Sequence, residues 1–258
     1  MFEKNGGALS SIATAIALLV VWEGATRLLG IPTYLLPAPS VIASDFARNW
    51  PRIADSSWIT TLNMVAGFVL SVLVGIPLAM ALAYSPQVER SIYPIVVFLQ
   101  ILPKIAIAPL FIVWFGFGTM PKVLLVFLLT FFPIVVNTVV GFKSVDPGVM
   151  ELARSTGAGA LRTFYKIRFP SALPSIFVGL KIAAALASTA AVVAEFVASD
   201  SGLGYLIITY NGQLATPMVF ATIIVLGIIG LVFYFLIEFV ERLVVPWHVS
   251  MRADQAGA

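Results

Sequence analysis

The sequence predicts an all-α, polytopic membrane protein with six transmembrane helices and a helical elbow between the fourth and the fifth. Three observations predict it. Hydrophobic residues make up 60% of the 258 residues and charged ones only 10%, against about 25% charge in an ordinary soluble domain; mean hydropathy is +1.03. The apolar residues gather into segments long enough to cross a hydrocarbon layer about 30 Å thick, which takes roughly 20 helical residues. The longest interruption after residue 57, Asp146 to Pro170, is also the most charged, and it carries helical periodicity of its own.

The expected spans are 8–29, 57–84, 91–115, 121–141, 172–199 and 216–244. Lys4 ahead of an apolar run gives the first some likeness to a signal peptide. No small-x-small cleavage site follows cleanly, and Trp22-Glu23 and Arg27 continue the helix, so a retained span is expected. Residues 30–56 form a connection in which Pro37 and Pro39 break the chain. Val41, Ile42, Phe46 and Trp50 then line one side of a short interfacial helix. The third span is expected to be broken by Pro94, Pro103 and Pro109, and broken helices belong in a bundle interior or along a cavity. The fifth holds a small-residue patch around Ala183 to Ala190, which suits close helix packing. Residues 200–215 are expected to be an external turn region over the pathway. No internal repeat is evident, so the chain reads as 1–56, an N-terminal span plus interfacial segment; 57–245, the core; and 246–258, a cytoplasmic tail.

Basic residues set the orientation. With the N-terminus inside, cytoplasmic segments hold Lys4, Arg90, Lys143, Arg154, Arg162, Lys166, Arg168, Arg242 and Arg252, and external ones Arg27, Arg48, Arg52 and Lys122. The positive-inside rule therefore puts both termini and the 142–170 region in the cytoplasm. A net charge of +3 gives a nucleic-acid partner little support. With no cysteine there is no disulfide, thiolate metal site or cysteine nucleophile, and the single histidine, His248, sits in the tail; no metal site is expected.

Charge inside a membrane is costly unless paired or hydrated, so each such residue needs a reading. Lys104 follows Pro103, one helical turn after Gln100. It reads either as a polar wall of a pathway, drawing an anion or hydrogen-bonding solute, or as an interior ion pair with Glu195 of the fifth span. Glu195, near the outer end of its span, fits a gate or a structural bond. Lys181 is expected to snorkel to the cytoplasmic surface, Glu23 to reach the interface or pair with Arg27, and Asn137 to form an interhelical hydrogen bond in preference to lining the pathway. No catalytic residue is expected. There is no G-x-x-x-x-G-K-[ST], no H-E-x-x-H, and no G-x-S-G or G-x-G-D of an intramembrane protease. Active transport would require a separate ATPase.

The elbow is readable residue by residue. Asp146 is a good N-cap and Pro147 suits the first helical position. Val149, Leu152, Ala153 and Thr156 make one apolar side, with Glu151, Arg154 and Ser155 pointing the other way. Gly157 supplies the stop. A second short helix, 160–167, puts Arg162 and Lys166 on one face before Pro170 ends it.

These residues carry a resemblance. Glu151-Leu-Ala153, Gly157-Ala158 and Ile167-Arg-Phe169-Pro170 have the spacing of the EAA loop of bacterial ABC importer permeases, departing from it mildly at Leu152 and Phe169. Within that family the chain most resembles the nitrate/sulfonate/taurine-type permeases, through Leu36-Pro-Ala-Pro39-Ser40, Ile107-Ala-Pro-Leu-Phe111, Trp114-Phe-Gly-Phe-Gly118 and Ser201-Gly-Leu-Gly204-Tyr205.

The resemblance implies a permease of the bacterial cytoplasmic (inner) membrane, paired with a second copy of itself. Cytoplasmic ATP-binding subunits and an extracytoplasmic substrate-binding protein would complete the importer. It makes the elbow a coupling helix, with Glu151, Ala153, Arg154, Gly157, Ala158, Ile167 and Pro170 at the ATPase contact, and it implies no cofactor beyond the ATP held by the partner. Gln100, Lys104, Asn137 and Glu195 are candidates for the translocation pathway. The implied substrate is a small polar or anionic solute of the sulfonate, taurine or nitrate kind, or an aromatic carboxylate; relatives in the family carry pyrimidine-type vitamin precursors or riboflavin. An ion-coupled secondary transporter, which needs its own coupling site and no elbow, is the alternative of another class, and a non-transporting scaffold a third.

Overall fold

In the computed structural model the described residues are 3–248, and among them no strand occurs. Arg252 and the tail beyond residue 248 lie outside the described residues, as do the side chains of Lys4 and His248.

Helix α1, Glu3–Leu28, leads through a turn to α2, Pro39–Arg48, whose first turn takes Pro39 where no N–H is needed. Helix α3, Trp50–Tyr84, begins seven residues before the expected span, because Pro51 also fits a first helical turn. Its 35 residues reach about 52 Å at 1.5 Å per residue, so it overshoots the hydrocarbon layer.

The third expected span is two helices. Helix α4, Pro86–Ile101, starts at Ser85, whose hydroxyl accepts the Val88 amide at 3.3 Å. Pro94 is carried inside α4 and does not break it; the break comes at Leu102-Pro103. A 3-10 turn, Lys104–Ile107, and α5, Ala108–Phe115, follow, and the two halves are bent by 87°. Helix α6 is Thr119–Lys143, α7 Pro147–Ser155 and α8 Ala160–Thr163; a π-helical turn, Phe164–Arg168, runs straight into α9, Phe169–Ala198. Pro170 therefore does not end a helix. The Phe169 amide already reaches back to Phe164 in the widened turn, and Pro170 sits in the first turn of α9, where its missing N–H is no loss.

The expected external turn region is mostly helix: α10, Leu203–Gly212, with Leu203, Leu206 and Tyr210 buried. Helix α11, Thr216–Val244, ends the bundle. Among the described residues, four helices (α3, α6, the continuous run through α9, and α11) are long and apolar enough to span, and the bent pair makes a fifth.

Helices α3, α6, α9 and α11 form the core. Ala183, Ala184, Ala187, Ala190 and Ala191 of α9 are buried against Met64, Phe68, Val126, Ile134 and Phe233, so the small-residue patch is packing surface. Where α6 crosses α9, a Cβ on Gly179 would stand 2.8 Å from the Pro133 carbonyl, and only a residue without one permits that approach. A second cluster joins Ile42 of α2, Ile53 of α3, Leu203 and Leu206 of α10, and Met218 of α11. Helix α2 thus packs on the ends of α3, α10 and α11 through Ile42, with Phe46 half-buried beside it, while Trp50 is exposed and belongs to α3.

Candidate functional site

Three places concentrate polar chemistry. The first is the elbow. The Asp146 carboxylate accepts the Gly148 amide at 2.6 Å and caps α7. At the other end the Ala158 amide bonds the Ala153 carbonyl at 3.1 Å and the Gly157 amide bonds Arg154 at 3.0 Å. That double pairing needs a left-handed residue at Gly157, whose φ is +71°. Helix α7 is thereby fixed at both ends.

Ala153 is buried, but Val149 is 44% and Leu152 65% exposed, with Glu151 exposed beside them. Most of the expected apolar side is therefore uncovered among the described residues. Phe164 of the π turn stacks on Phe142 of α6 with centroids 6.0 Å apart and meets the Tyr84 ring of α3 edge-on at 5.7 Å, while Arg168 lies over Tyr84. Rigid contacts so tie the elbow to the ends of α3 and α6. Lys143 of α6 and Glu89 of α4 form an ion pair at that same end.

The second place is the break. Lys104 Nζ donates to the Gln100 carbonyl at 2.7 Å and stands 4.8 Å from the Phe132 ring centre. Pro103 prevents α4 from continuing and leaves carbonyls unpaired at its negative end, and the ammonium caps one of them. The structure brings Gln100 and Lys104 together, and it separates both from Glu195: the expected alternative of a Lys104–Glu195 ion pair is not formed.

Glu195 is the centre of the third place. It is 1% exposed; Thr60 Oγ1 lies 2.9 and 3.0 Å from its two oxygens, and the Gly204 amide donates to it at 2.8 Å. Thr60 also accepts the Leu203 amide at 2.8 Å. The buried Lys122 of α6 favours the carboxylate electrostatically without a direct ion pair, and Asn63 lies alongside. Gly202, at φ +97°, brings the chain into this turn, and a Cβ there would fall on the carboxylate. Four helices meet on one buried charge. Lys122, expected in an external connection, lies in the first turn of α6 and is 3% exposed.

Two further expectations change. Lys181 does not snorkel to the surface: its ammonium pairs with the buried Glu241 carboxylate of α11 at 2.9 Å. The Asn137 side chain donates to the Pro133 carbonyl of its own helix at 2.8 Å, satisfying the backbone one turn back and making no interhelical bond. Glu23 pairs with Arg27 at 2.6 Å and also accepts the Ser40 amide at 3.0 Å, which ties α1 to α2. Sequence reasoning missed Thr60, Asn63, Lys122, Phe164 and Tyr84. The usable signals were a lone cation opening α6 and two glycines, 202 and 204, facing one acid.

A membrane-embedded helical bundle with a broken span and a capped helix projecting beyond it defines the membrane subunit of a transporter. Residues 67–247 match the family described as "Binding-protein-dependent transport system inner membrane component", and the chain belongs to that family. It is thus a transport component, the permease of an ABC importer, and not an enzyme. This sets aside the ion-coupled reading.

Among its relatives, a formylaminopyrimidine transport permease protein of Halalkalibacterium halodurans is 37% identical over 246 residues, covering 95% of this chain and 98% of that one. A riboflavin transport system permease protein of Chloroflexus aurantiacus is 37% identical over 248 residues, covering 94% and 91%. A taurine transport system permease protein of Escherichia coli is 32% identical over 253 residues, covering 94% and 90%. A chain of the MetNI methionine ABC transporter, solved in inward-facing conformations, shares the fold with a TM-score of 0.63 at 19% identity, covering 72% of this chain and 93% of that one.

Proposed function

We propose that this permease works as a pair of identical copies with two cytoplasmic ATPase subunits and an external substrate-binding protein, and that α7 is the helix through which ATPase closure moves the spans. The observation that carries the reading is the exposed Val149 and Leu152 face of a helix capped at both ends, with Glu151 beside it. A rigid projecting helix with an uncovered apolar face suits insertion into a groove on a soluble partner. Glu151 then gives that partner one fixed ion, and Ala153, Arg154, Gly157, Ala158, Ile167 and Pro170 hold the elbow's shape. Movement of the elbow would reach α3 and α6 through Phe164 and its ring contacts. Both termini and the elbow are assigned to the cytoplasm by positive-inside charge. Residues 57–245 form the core permease, 1–56 an added span and interfacial segment, and 246–258 a tail.

The second copy is supported by the break in the third span. Ile101, Pro103 and Ile105 are exposed on the chain's surface. Irregular backbone cannot face lipid; it must be covered by protein or line water. A partner copy meeting this face would cover it and leave a pathway between the two, with Gln100 and Lys104 at its edge. Glu195 and Asn137, each held by bonds of its own, fit support of that pathway better than contact with solute.

The substrate is a small polar solute of the sulfonate, taurine or nitrate kind. A pyrimidine-type vitamin precursor or riboflavin is the second reading, favoured by two relatives at 37% identity and by the engagement of the Lys104 charge with Gln100 and Phe132. Reconstitution tests the whole: proteoliposomes holding the permease, its ATPase and binding protein should accumulate solute with ATP, and Leu152→Asp should abolish accumulation. Uptake that survives that change, or survives removal of the ATPase, would end the reading. A thermal-shift comparison of the binding protein with taurine and with formylaminopyrimidine would decide between the substrates.

A further inference from the structure

Between α7 and the following helical segment lies a cavity of about 300 Å³, lined by Ala153, Thr156, Arg162, Thr163 and Lys166 among others. Arg162 and Lys166, one turn apart, share its wall, and neither side chain has an ion-pair or hydrogen-bond partner among the described residues. Two like charges facing one concave space repel each other unless an anion sits between them. The threonines add hydroxyls to the same lining. The π turn, Phe164–Arg168, widens the helix within this stretch, a departure frequent at functional positions.

Placement says which anion. The segment runs without a break into the membrane-spanning α9, and Arg162 precedes Phe169 by seven residues, or about 10 Å of helix. That puts the two cations on the membrane side of the elbow, between α7 and the span. Leu161 and Tyr165, also one turn apart, are exposed directly beside the two cations, giving an apolar and aromatic strip next to a basic one. The cavity is a neighbour of the proposed ATPase contact: Ala153, which lines it, is about 40° around α7 from Val149 and about 200° from Glu151. We propose that this cavity binds the phosphate of an anionic phospholipid from the inner leaflet, with Arg162 and Lys166 on the phosphate and Leu161 and Tyr165 against the acyl and glycerol region. The bound lipid braces the elbow against α9. This site goes beyond the docking of an ATPase and stands without it.

The test uses the full chain alone in detergent, titrated with phosphatidylglycerol or phosphatidylcholine and read by native mass spectrometry. A single phosphatidylglycerol should be retained in preference to phosphatidylcholine. R162Q with K166Q should weaken its retention about thirtyfold, at about fivefold per basic residue near a membrane surface. The swapped pair R162K with K166R should keep it, and R90Q with R242Q, an equal loss of charge elsewhere, should leave it unchanged. An unaffected R162Q/K166Q chain, an equal loss in the R90Q/R242Q control, or displacement of the lipid by millimolar inorganic phosphate would each overturn the proposal. So would loss of the ATPase from the R162Q/K166Q complex in lipid-free detergent, which would assign the cavity to a protein contact. If the lipid binds as described while Leu152→Asp leaves uptake intact, the coupling reading fails and this one stands.

Discussion

The Glu195 carboxylate closes the amino-terminal end of α10 by accepting the Gly204 amide, and Thr60 of α3 bridges the same carboxylate to the Leu203 amide. A buried acid here does the work of a helix cap and joins α3, α9 and α10, with Lys122 of α6 offsetting its charge.

Glu195→Ala should cost about 3 kcal/mol or more, because it leaves Lys122 buried without its counter-charge and two amides with a broken network. Glu195→Gln keeps an acceptor for Gly204 and should cost less. Thermal melting in detergent checks the order, and equal melting of the two variants, both of which remove the charge, would show that the hydrogen bonds to Gly204 and Thr60 contribute nothing. Gly204→Ala, whose Cβ would lie 2.7 Å from Glu195 Cβ and 2.8 Å from the Val192 carbonyl, should lose about 2 kcal/mol through overpacking.

Lys181 and Glu241 are suited to a double-mutant cycle. Lys181→Met alone removes the cation 2.9 Å from the buried Glu241 carboxylate and should cost about 3 kcal/mol. Adding Glu241→Leu should recover most of that loss, since an apolar pair carries no desolvation penalty. Additive losses would mean that the pair contributes nothing beyond its separate side chains.

The Phe164 ring contacts predict an uncoupling variant. Phe164→Leu keeps an apolar side chain but loses the stacked and edge-on partners, at a cost of about 1 kcal/mol. The reconstituted complex should still hydrolyse ATP while accumulating less solute. Normal uptake per ATP would place the transmission of movement elsewhere. Leu152→Asp, on an exposed position, should by contrast leave the stability within about 0.5 kcal/mol of the parent while losing the ATPase on co-purification.

Lys104→Met should weaken the break more than it changes selectivity. Losing the cap on Gln100 should cost about 1 kcal/mol. Uptake of anionic and neutral solutes should fall by the same factor. A fall confined to anions would return Lys104 to direct contact with substrate.

Most of the long helices and the limits of α7 are local properties legible in the sequence, whereas helix α10 and the 87° bend of the third expected span were not. Hydropathy sets the spans, because a lipid layer forces every backbone group to pair within its own segment. Asp146, Pro147 and Gly157 set the limits of α7 through backbone rules that act over a few residues. Even the break near Pro103 follows from a missing amide, although Pro94 and Pro170 show that proline alone does not say whether a helix stops. Only the tertiary structure decided the partners of the charges. Lys181 finds Glu241 across 60 positions of sequence, and Lys122 rather than Lys104 answers Glu195. Such pairings depend on which helix faces meet, and that is set by the packing of small residues over the whole bundle. The same holds for Phe164, whose role exists only where the ends of α3 and α6 come together beneath it.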